Sequence, residues 1–304
     1  MRVRTSAAVV FVGVLVLAVA SAFLLGQRAA SGQSAGSLSS GAVPRMPNGK
    51  PSVEGIWQAL NTANWDIQDH SGRVGVPAGQ GVVEGNEIPY QDWALAKKKE
   101  NFEKRAQLDP EAKCYMPGVP RLTYEPFPFQ IAQSDDHVLI IYEYIHIHRL
   151  LFMDGSPHPD PEVIDFWMGD SRARWEGDTL VVDVRNFNDQ TWFDRAGNFH
   201  SDALHVVERY RMLSYEEAKE GFERDNKQHN NPPGMPVANP QGKYLQLRFT
   251  VEDPNVFTTP WSASMTYRWG GNDQLDWVEQ ACAENLNWYP GKEADVPRAA
   301  RADF

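Results

Sequence analysis

Cysteine and positive charge are what this sequence has least of. Only two cysteines, Cys114 and Cys282, occur in its 304 residues. Two thiols so far apart make a poor zinc site and no C-x-x-C redox pair. Against 40 Asp and Glu stand 29 Lys and Arg, for a net charge of −11. That balance excludes a nucleic-acid partner, because phosphate binding needs a basic surface. The one basic cluster, Lys97, Lys98, Lys99, Lys104 and Arg105, is interrupted by Glu100 and Glu103, the pattern of a solvated helix face. Also missing are a G-x-S-x-G elbow, a P-loop, a G-x-G-x-x-G after a strand, H-E-x-x-H and any internal repeat. No cofactor is expected.

What is present begins at the N-terminus. Arg2 and Arg4 precede an apolar run from Ala7 to Leu25, an export signal. Ala20-Ser21-Ala22 satisfies the small-residue cleavage pattern, whereas Phe23-Leu24-Leu25 extends the run toward the roughly 20 residues that span a bilayer. Residues 1–26 are therefore expected to be a signal peptide or an N-terminal membrane anchor, its basic end in the cytoplasm. No cysteine follows the run, which argues against a lipoprotein anchor. Residues 27–50, rich in Ser, Gly and Ala, read as a flexible tether, and 51–304 as a single domain. The expected location is the periplasm, free or anchored facing it. In that oxidising compartment Cys114 and Cys282 are expected to pair, the alternative being two free buried thiols. Such a bridge would close a loop of roughly 170 residues and add on the order of 4 to 5 kcal/mol by loop entropy.

Beyond the tether the hydrophobic period is mostly two. Tyr244 to Glu252 alternates Leu245, Leu247, Phe249 and Val251 with polar residues, and Trp261, Ala263, Met265, Tyr267 and Trp269 do the same. Helices are expected only from Gln91 to Gln107, with Leu95, Phe102 and Ala106 on its packed side, and after the capping box at Ser214 to Glu217, to about Arg224. His229 to Gly234 reads as a long loop. Successive strands without alternating helices predict an all-β fold, an antiparallel β-barrel or sandwich with one or two short peripheral helices.

Gly55-Ile56-Trp57 at the first strand, a meander behind it and Arg268 near the end resemble the lipocalin and calycin pattern. The resemblance implies that Trp57 packs under Arg268 at the closed end of a barrel. Over residues 52–285, the segments DPEAKCYMPGVPR, PFPFQIAQ, DGSPHP, RWEGDTLVVDVRNFNDQTWFD, HSDALHVVERYR, VEDPNVFTTPW and EQACAENLN are similar to an uncharacterised exported bacterial family. That likeness implies a periplasmic setting and no particular reaction. The chain departs from the family pattern at Ser156, where arginine is usual, and at Ala173, where glycine is usual.

Candidate site residues come from acids on apolar faces and from histidines in rigid loops. The strand period places Glu208 among Leu204, Val206, Tyr210 and Met212. By the same rule Glu143 falls among Leu139, Ile141, Ile145 and Ile147, with Arg149 further along, and Glu279 beside Leu275 and Trp277. A buried carboxylate must meet a cation or donor, or hold a proton. Glu143, Arg149, Glu208 and Glu279 thus either form an internal ion-pair network or line a ligand pocket, with Glu208 as a general acid or base. His158, between Pro157 and Pro159 after the turn Asp154-Gly155, and His200, after Trp192 and Asp194, sit in tight loops. Either each caps its own turn, or His158, Asp154, Asp194 and His200 face one pocket walled by Trp167 and Trp192. His146 and His148 share a strand face by spacing and raise a metal reading, but no further ligand is evident. The function expected is cofactor-independent acid–base chemistry, of isomerase, hydratase or lyase type, on a small, largely apolar molecule. The catalytic set is His158, Asp194, His200 and Glu208. The alternatives are a non-catalytic carrier of the same fold and a metal-dependent hydrolase.

Overall fold

The computed structural model describes residues 43–73, 76–227, 243–269 and 282. The chain divides into two compact units, Met1–Ser39 and Ser40–Phe304, and the described residues belong to the second. The N-terminal apolar run, the His229 to Gly234 loop and Glu279 lie outside the described residues. Among those described, no helix is long and apolar enough to cross a membrane.

Nine strands close into a barrel in chain order: β1 (Gly55–Gln58), β2 (Pro128–Gln133), β3 (His137–Tyr142), β4 (His148–Phe152), β5 (Asp170–Glu176), β6 (Thr179–Arg185), β7 (His205–Leu213), β8 (Tyr244–Glu252) and β9 (Trp261–Trp269). The expected all-β barrel is thus what forms. Among the described residues three α-helices accompany it, α1 (Asp92–Glu103), α2 (Arg105–Leu108) and α3 (Tyr215–Lys227). The Ser214 capping box holds the start of α3, the Ser214 amide donating to Glu217 Oε2 at 2.9 Å. Helix α1 buries Ala94 and Asn101, not the expected face, and Leu95 is 51% exposed. It docks instead on the loop before β7, where Asn101 Nδ2 donates to Gly197 O at 3.3 Å. A Cβ on Gly197 would come within 2.8 Å of the Asn101 Cβ, so that approach requires glycine. The predicted disulfide is present between Cys114 and Cys282.

The inward face carries the alternating residues read from β8 and β9, together with Trp57, Phe129, Tyr142, Val182, Tyr210 and their neighbours. Trp57, Tyr124, Phe129, Tyr142, Tyr210, Phe249 and Tyr267 are each 0–3% exposed. Aromatic side chains therefore fill the barrel axis beside these residues. Trp57 donates its indole N–H to Val53 O at 3.0 Å, whereas Arg268 pairs across β1 with Gln58, Nη2 to Oε1 at 2.8 Å. Since successive residues point to opposite sides of a strand, Arg268 belongs to the outer side and the tryptophan-under-arginine packing does not form.

Two departures from the antiparallel meander matter for the site. First, β3 stops at Tyr142: Glu143 is helical, and Ile145 and His146 adopt left-handed conformations at φ 45° and 55° before β4 begins. Glu143 therefore sits in a turn, buried, and His146 and His148, both exposed, do not share a strand. Second, β4 and β5 are parallel and share a single register pair, Phe152 with Arg172, where β3–β4 has five and β5–β6 seven. A parallel pair needs a crossover of a dozen or more residues, and residues 153–169 supply it across the barrel's outer surface.

Inside this seam, Arg149 of β4 donates to Ser171 Oγ of β5 at 3.0 and 2.9 Å and bidentately to Glu208 of β7 at 3.0 and 2.6 Å. Arg149 and Glu208 are 3% and 0% exposed. Breaking one partner of such a pair leaves an unpaired buried charge, costing about 3–5 kcal/mol, whereas apolar replacement of both is often neutral. We predict that Arg149→Leu lowers the unfolding free energy by about that amount in a denaturant titration, and that adding Glu208→Leu restores most of it. A double variant no more stable than the single would show that the pair does more than satisfy itself.

Candidate functional site

The expected site residues separate into three places. On the outer wall, His158 sits between two carboxylates, Nδ1 at 2.7 Å from Asp170 Oδ2 and Nε2 at 3.0 Å from Asp183 Oδ1. Arg172 forks onto Asp170 at 2.6 and 2.9 Å and also donates to Ser156 Oγ. Ser156 is tied in turn to Asp154 Oδ1 through its amide at 3.0 Å. Asp183 also receives Arg185 at 2.8 Å and His205 Nε2 at 3.3 Å. Burial opposes ionisation of Asp183, but the hydrogen bonds from His205 and Arg185 outweigh it and hold the carboxyl below its ordinary range. In the same contact Asp183 raises the His205 imidazole above its usual value, against a smaller effect of burial.

Glu208 is on the other side of the sheet. Asp183 and Glu208 belong to adjacent strands, with Asp183 opposite Val207 and Val182 opposite Glu208, so their side chains leave by opposite faces. His158 and Glu208 are therefore not partners in one pocket. Glu208 is engaged by Arg149 and by the Tyr210 hydroxyl at 3.3 Å.

The third place is the loop between β6 and β7. His200 is 3% exposed, with Nδ1 at 2.8 Å from Ser201 O and Nε2 at 2.6 Å from Thr191 Oγ1. Nδ1–H thus donates to the carbonyl and Nε2 accepts from the hydroxyl. Burial pushes the ring below its ordinary pKa, which fits that neutral form. Asp194, fully buried, accepts from the amides of Ile67 (2.8 Å), Ala196 (2.9 Å) and Asn198 (3.2 Å) and from Asn198 Nδ2 (2.5 Å). Burial, with the nearby Asp66 carboxylate, pushes it up to about 7. These bonds organise the loop and clamp it to residues 64–67, as does the Arg195 amide on Asn64 O at 3.1 Å. Trp192 pairs with Phe199 across the same loop. Trp167 packs on Tyr115 at 5.1 Å between ring centres, next to Cys114. Asp194 and His200 hold their own turn, and neither hydrogen-bonds to His158 or Asp154.

A stronger arrangement lies where sequence reasoning did not look. Asp109, Glu111, Arg121, Glu125 and Arg195 are gathered at 0–4% exposure. Arg121 donates to Asp109 at 2.8 and 3.1 Å and to Glu111 Oε2 at 2.6 Å. Arg195 Nε reaches the same Glu111 oxygen at 3.1 Å, with its guanidinium over Trp65 at 4.4 Å. Arg121 Nε stands 3.5 Å from Glu125 Oε1, outside hydrogen-bond geometry. Glu111 and Glu125 act on each other electrostatically, and two like charges so buried favour a proton on one of them. Its owner follows from the surroundings. Burial would raise both acids, but the two guanidiniums bring Glu111 down to about 2. Burial together with the Glu111 charge drives Glu125 well above the carboxylate range.

Beside this pair opens a cleft of about 140 Å³ lined by Gln58, Ala59, Leu60, Asn61, Thr62, Asn64, Trp65 and Pro126. Asn64 Nδ2 donates to Glu125 Oε2 at 3.4 Å, and Pro126 is the next residue in the chain, so the acid lies one side chain behind the cleft wall. The signal available in sequence was three acids and Arg121 among Pro110, Pro117, Pro120, Pro126 and Pro128. Arg195 and Asn64 join from distant positions and gave none. Glu143 is buried at the end of β3. Among the described residues, no three His, Cys, Asp or Glu side chains converge as a metal site.

A proton bound on folding gives a pH signature. Glu125 is raised above the ordinary carboxylate value in the folded chain, so stability falls as pH climbs from the ordinary value through the raised one. Glu125→Gln, an uncharged side chain of the same shape, should flatten this fall in melts from pH 4.5 to 8.5. It should also be at least as stable as the wild type at the upper end. Arg121→Leu, which removes the guanidinium from Asp109 and one of the two from Glu111, should cost about 3–5 kcal/mol. An unchanged pH slope in Glu125→Gln would place the proton elsewhere. Comparisons with protein-family models, curated proteins and solved structures find no match for this chain, so the site is interpreted from its own chemistry.

Proposed function

We propose that this chain is an exported protein that performs cofactor-independent acid–base chemistry on a small molecule bound in the Gln58–Trp65 cleft. The observation that carries the reading is the buried acid Glu125, bonded to Asn64 of the cleft wall and raised above the ordinary carboxylate range by burial and the Glu111 charge. A general acid must be protonated at working pH and must be re-protonated after each turn. Burial and the charge of Glu111, which Arg121 and Arg195 hold ionised, keep a proton on Glu125. Gln58, Asn61, Thr62 and Asn64 suit the polar edge of a ligand, and Leu60, Trp65 and Pro126 its apolar body. Isomerisation, hydration and elimination all need such a donor and acceptor and no redox group. This reading moves the chemistry away from His158, Asp194, His200 and Glu208, whose polar atoms are taken up by the protein's own contacts.

A carrier function is the weaker alternative, because the axis where a lipocalin-like carrier would hold its cargo is filled by the rings of Trp57, Tyr142, Tyr210 and Tyr267. Export is supported by Arg2 and Arg4 before the apolar run and by the Cys114–Cys282 bridge, which oxidising compartments favour. We place the protein in the periplasm, free or anchored by residues 1–26, in the lineage of the exported family its segments resemble.

The test is proton exchange. Incubated in D2O with a panel of small ketones, enones and hydroxy acids, the wild type should incorporate deuterium into at least one compound, read by mass spectrometry. Glu125→Gln, folded, should lose roughly a hundredfold or more of that rate, the usual scale of general acid–base catalysis. Equal incorporation by Glu125→Gln, or none by the wild type across the panel, would remove the proposal.

A further inference from the structure

The crossover at residues 153–169 has a role independent of the cleft. It passes over the outside of the β4–β5 seam, which a single register pair holds. Its first half is anchored at its ends by the Met153 amide on Asp136 O at 2.9 Å and by Asn186 Nδ2 on Pro159 O at 2.8 Å, and between them it is fastened by side chains. Ser156 takes Arg172, His158 spans Asp170 and Asp183, and Arg172 lies over the Phe152 ring at 4.5 Å, across the seam itself. Its second half is fastened by backbone, Phe166 donating to Asn186 O at 2.8 Å and accepting from the Asn188 amide at 3.0 Å. The two halves therefore depend on different conditions.

Every ring nitrogen in the side-chain half faces a carboxylate. His158 touches Asp170 and Asp183, and His205 touches Asp183 and Glu252, the last at 3.2 Å. A neutral imidazole has one donor and one lone pair, so each ring can satisfy both of its acids only as imidazolium. The charges around the rings say the same. The crossover contributes Asp154, β5 contributes Asp170 and Arg172, β6 Asp183 and Arg185, and β8 Glu252. Four acids thus face two guanidiniums, and two imidazolium charges bring the group to neutrality. None of the side chains of His158, Asp170, Asp183, Arg172 or His205 is more than 27% exposed, so water screens the imbalance only in part.

We propose that His158 and His205 form a proton-operated latch that holds the middle of this half, residues 154–158, against the barrel and thereby closes the β4–β5 seam. With both rings protonated the strap is down. Loss of a proton turns one donor into a lone pair aimed at a carboxylate, the strap lifts, and the seam that shields Arg149 and Glu208 opens. The sign follows from linkage. His205 is raised in the folded chain, so its contribution is complete below the ordinary histidine value and is lost as pH rises through the raised one.

Hydrogen–deuterium exchange of the full chain at pH 5.5 and 8.5, each corrected with the unfolded chain at the same pH, tests this. Peptides covering 148–160 and 170–176 should lose at least tenfold of their protection at the higher pH, while α1 and the 179–182 part of β6 keep theirs. His158→Gln, a change at the surface of the strap, should give the open exchange pattern in those peptides at both pH values. Asp183→Asn serves as the second variant and should do the same. Unchanged wild-type protection between the two pH values would overturn the latch. So would a loss spread evenly over α1 and the barrel, or a full pH response retained in His158→Gln.

Discussion

A barrel closes only if every neighbouring pair of strands is held, and here one pair is held by a single rung. The β4–β5 contact is parallel and consists of Phe152 opposite Arg172. Backbone hydrogen bonds that close the other seams are mostly missing there, so side chains must supply what the ladder does not. They do so from both faces. Inside, Arg149 reaches Ser171 and Glu208. Outside, the 153–169 crossover ties Ser156 and His158 to Arg172, Asp170 and Asp183. Polar side chains pair across this joint from both faces, where the sheet itself is incomplete.

That constraint explains why several residues look catalytic in sequence and are not placed as a site. An acid on an apolar strand face, or a histidine between prolines, is expensive to leave unpaired in either setting. Glu208 and His158 meet that requirement by pairing, and their partners lie on the two sides of one wall. Structural ion pairs and active sites draw on the same residue types. What distinguishes the Glu111–Glu125 pair is that pairing is incomplete: Arg121 and Arg195 hold Glu111 ionised, and burial with that charge raises Glu125 well above the carboxylate range.

The fold was legible where the period of two runs long and one face is plainly polar. Tyr244–Glu252 and Trp261–Trp269 alternate over their whole length and form β8 and β9 in the expected register of faces. Legibility failed at residues 138–147, where Leu139 and Ile141 are as apolar as Val138 and Ile140 and either face could be the inner one. The chain buries Val138, Ile140 and Tyr142, then turns at Ile145 and His146 without a glycine or proline to announce it. Arg268 was misplaced for a similar reason: a three-residue motif says nothing about which side of β9 an arginine occupies. The disulfide could be expected because two thiols in an oxidising compartment leave little choice. The charged cluster could not, because its meaning depends on Arg195 and Asn64, which reach it only through the docking of the 191–200 loop on residues 64–67.

The chain's excess of acid, −11 overall, is thus resolved locally by protons in two different ways. Behind the cleft the Glu125 carboxyl is 2% exposed, and its neighbour Glu111 is pinned by two guanidiniums. On the outer wall the His158 and His205 rings, 19% and 17% exposed, stand between carboxylates within reach of solvent. A buried acid beside a cleft is suited to hand a proton to a ligand, because water is kept from it. A ring near solvent that holds a loop is suited to respond to the pH outside, because the bulk reaches it. The same electrostatic shortage therefore has different consequences on the two sides of the barrel wall, and burial decides which.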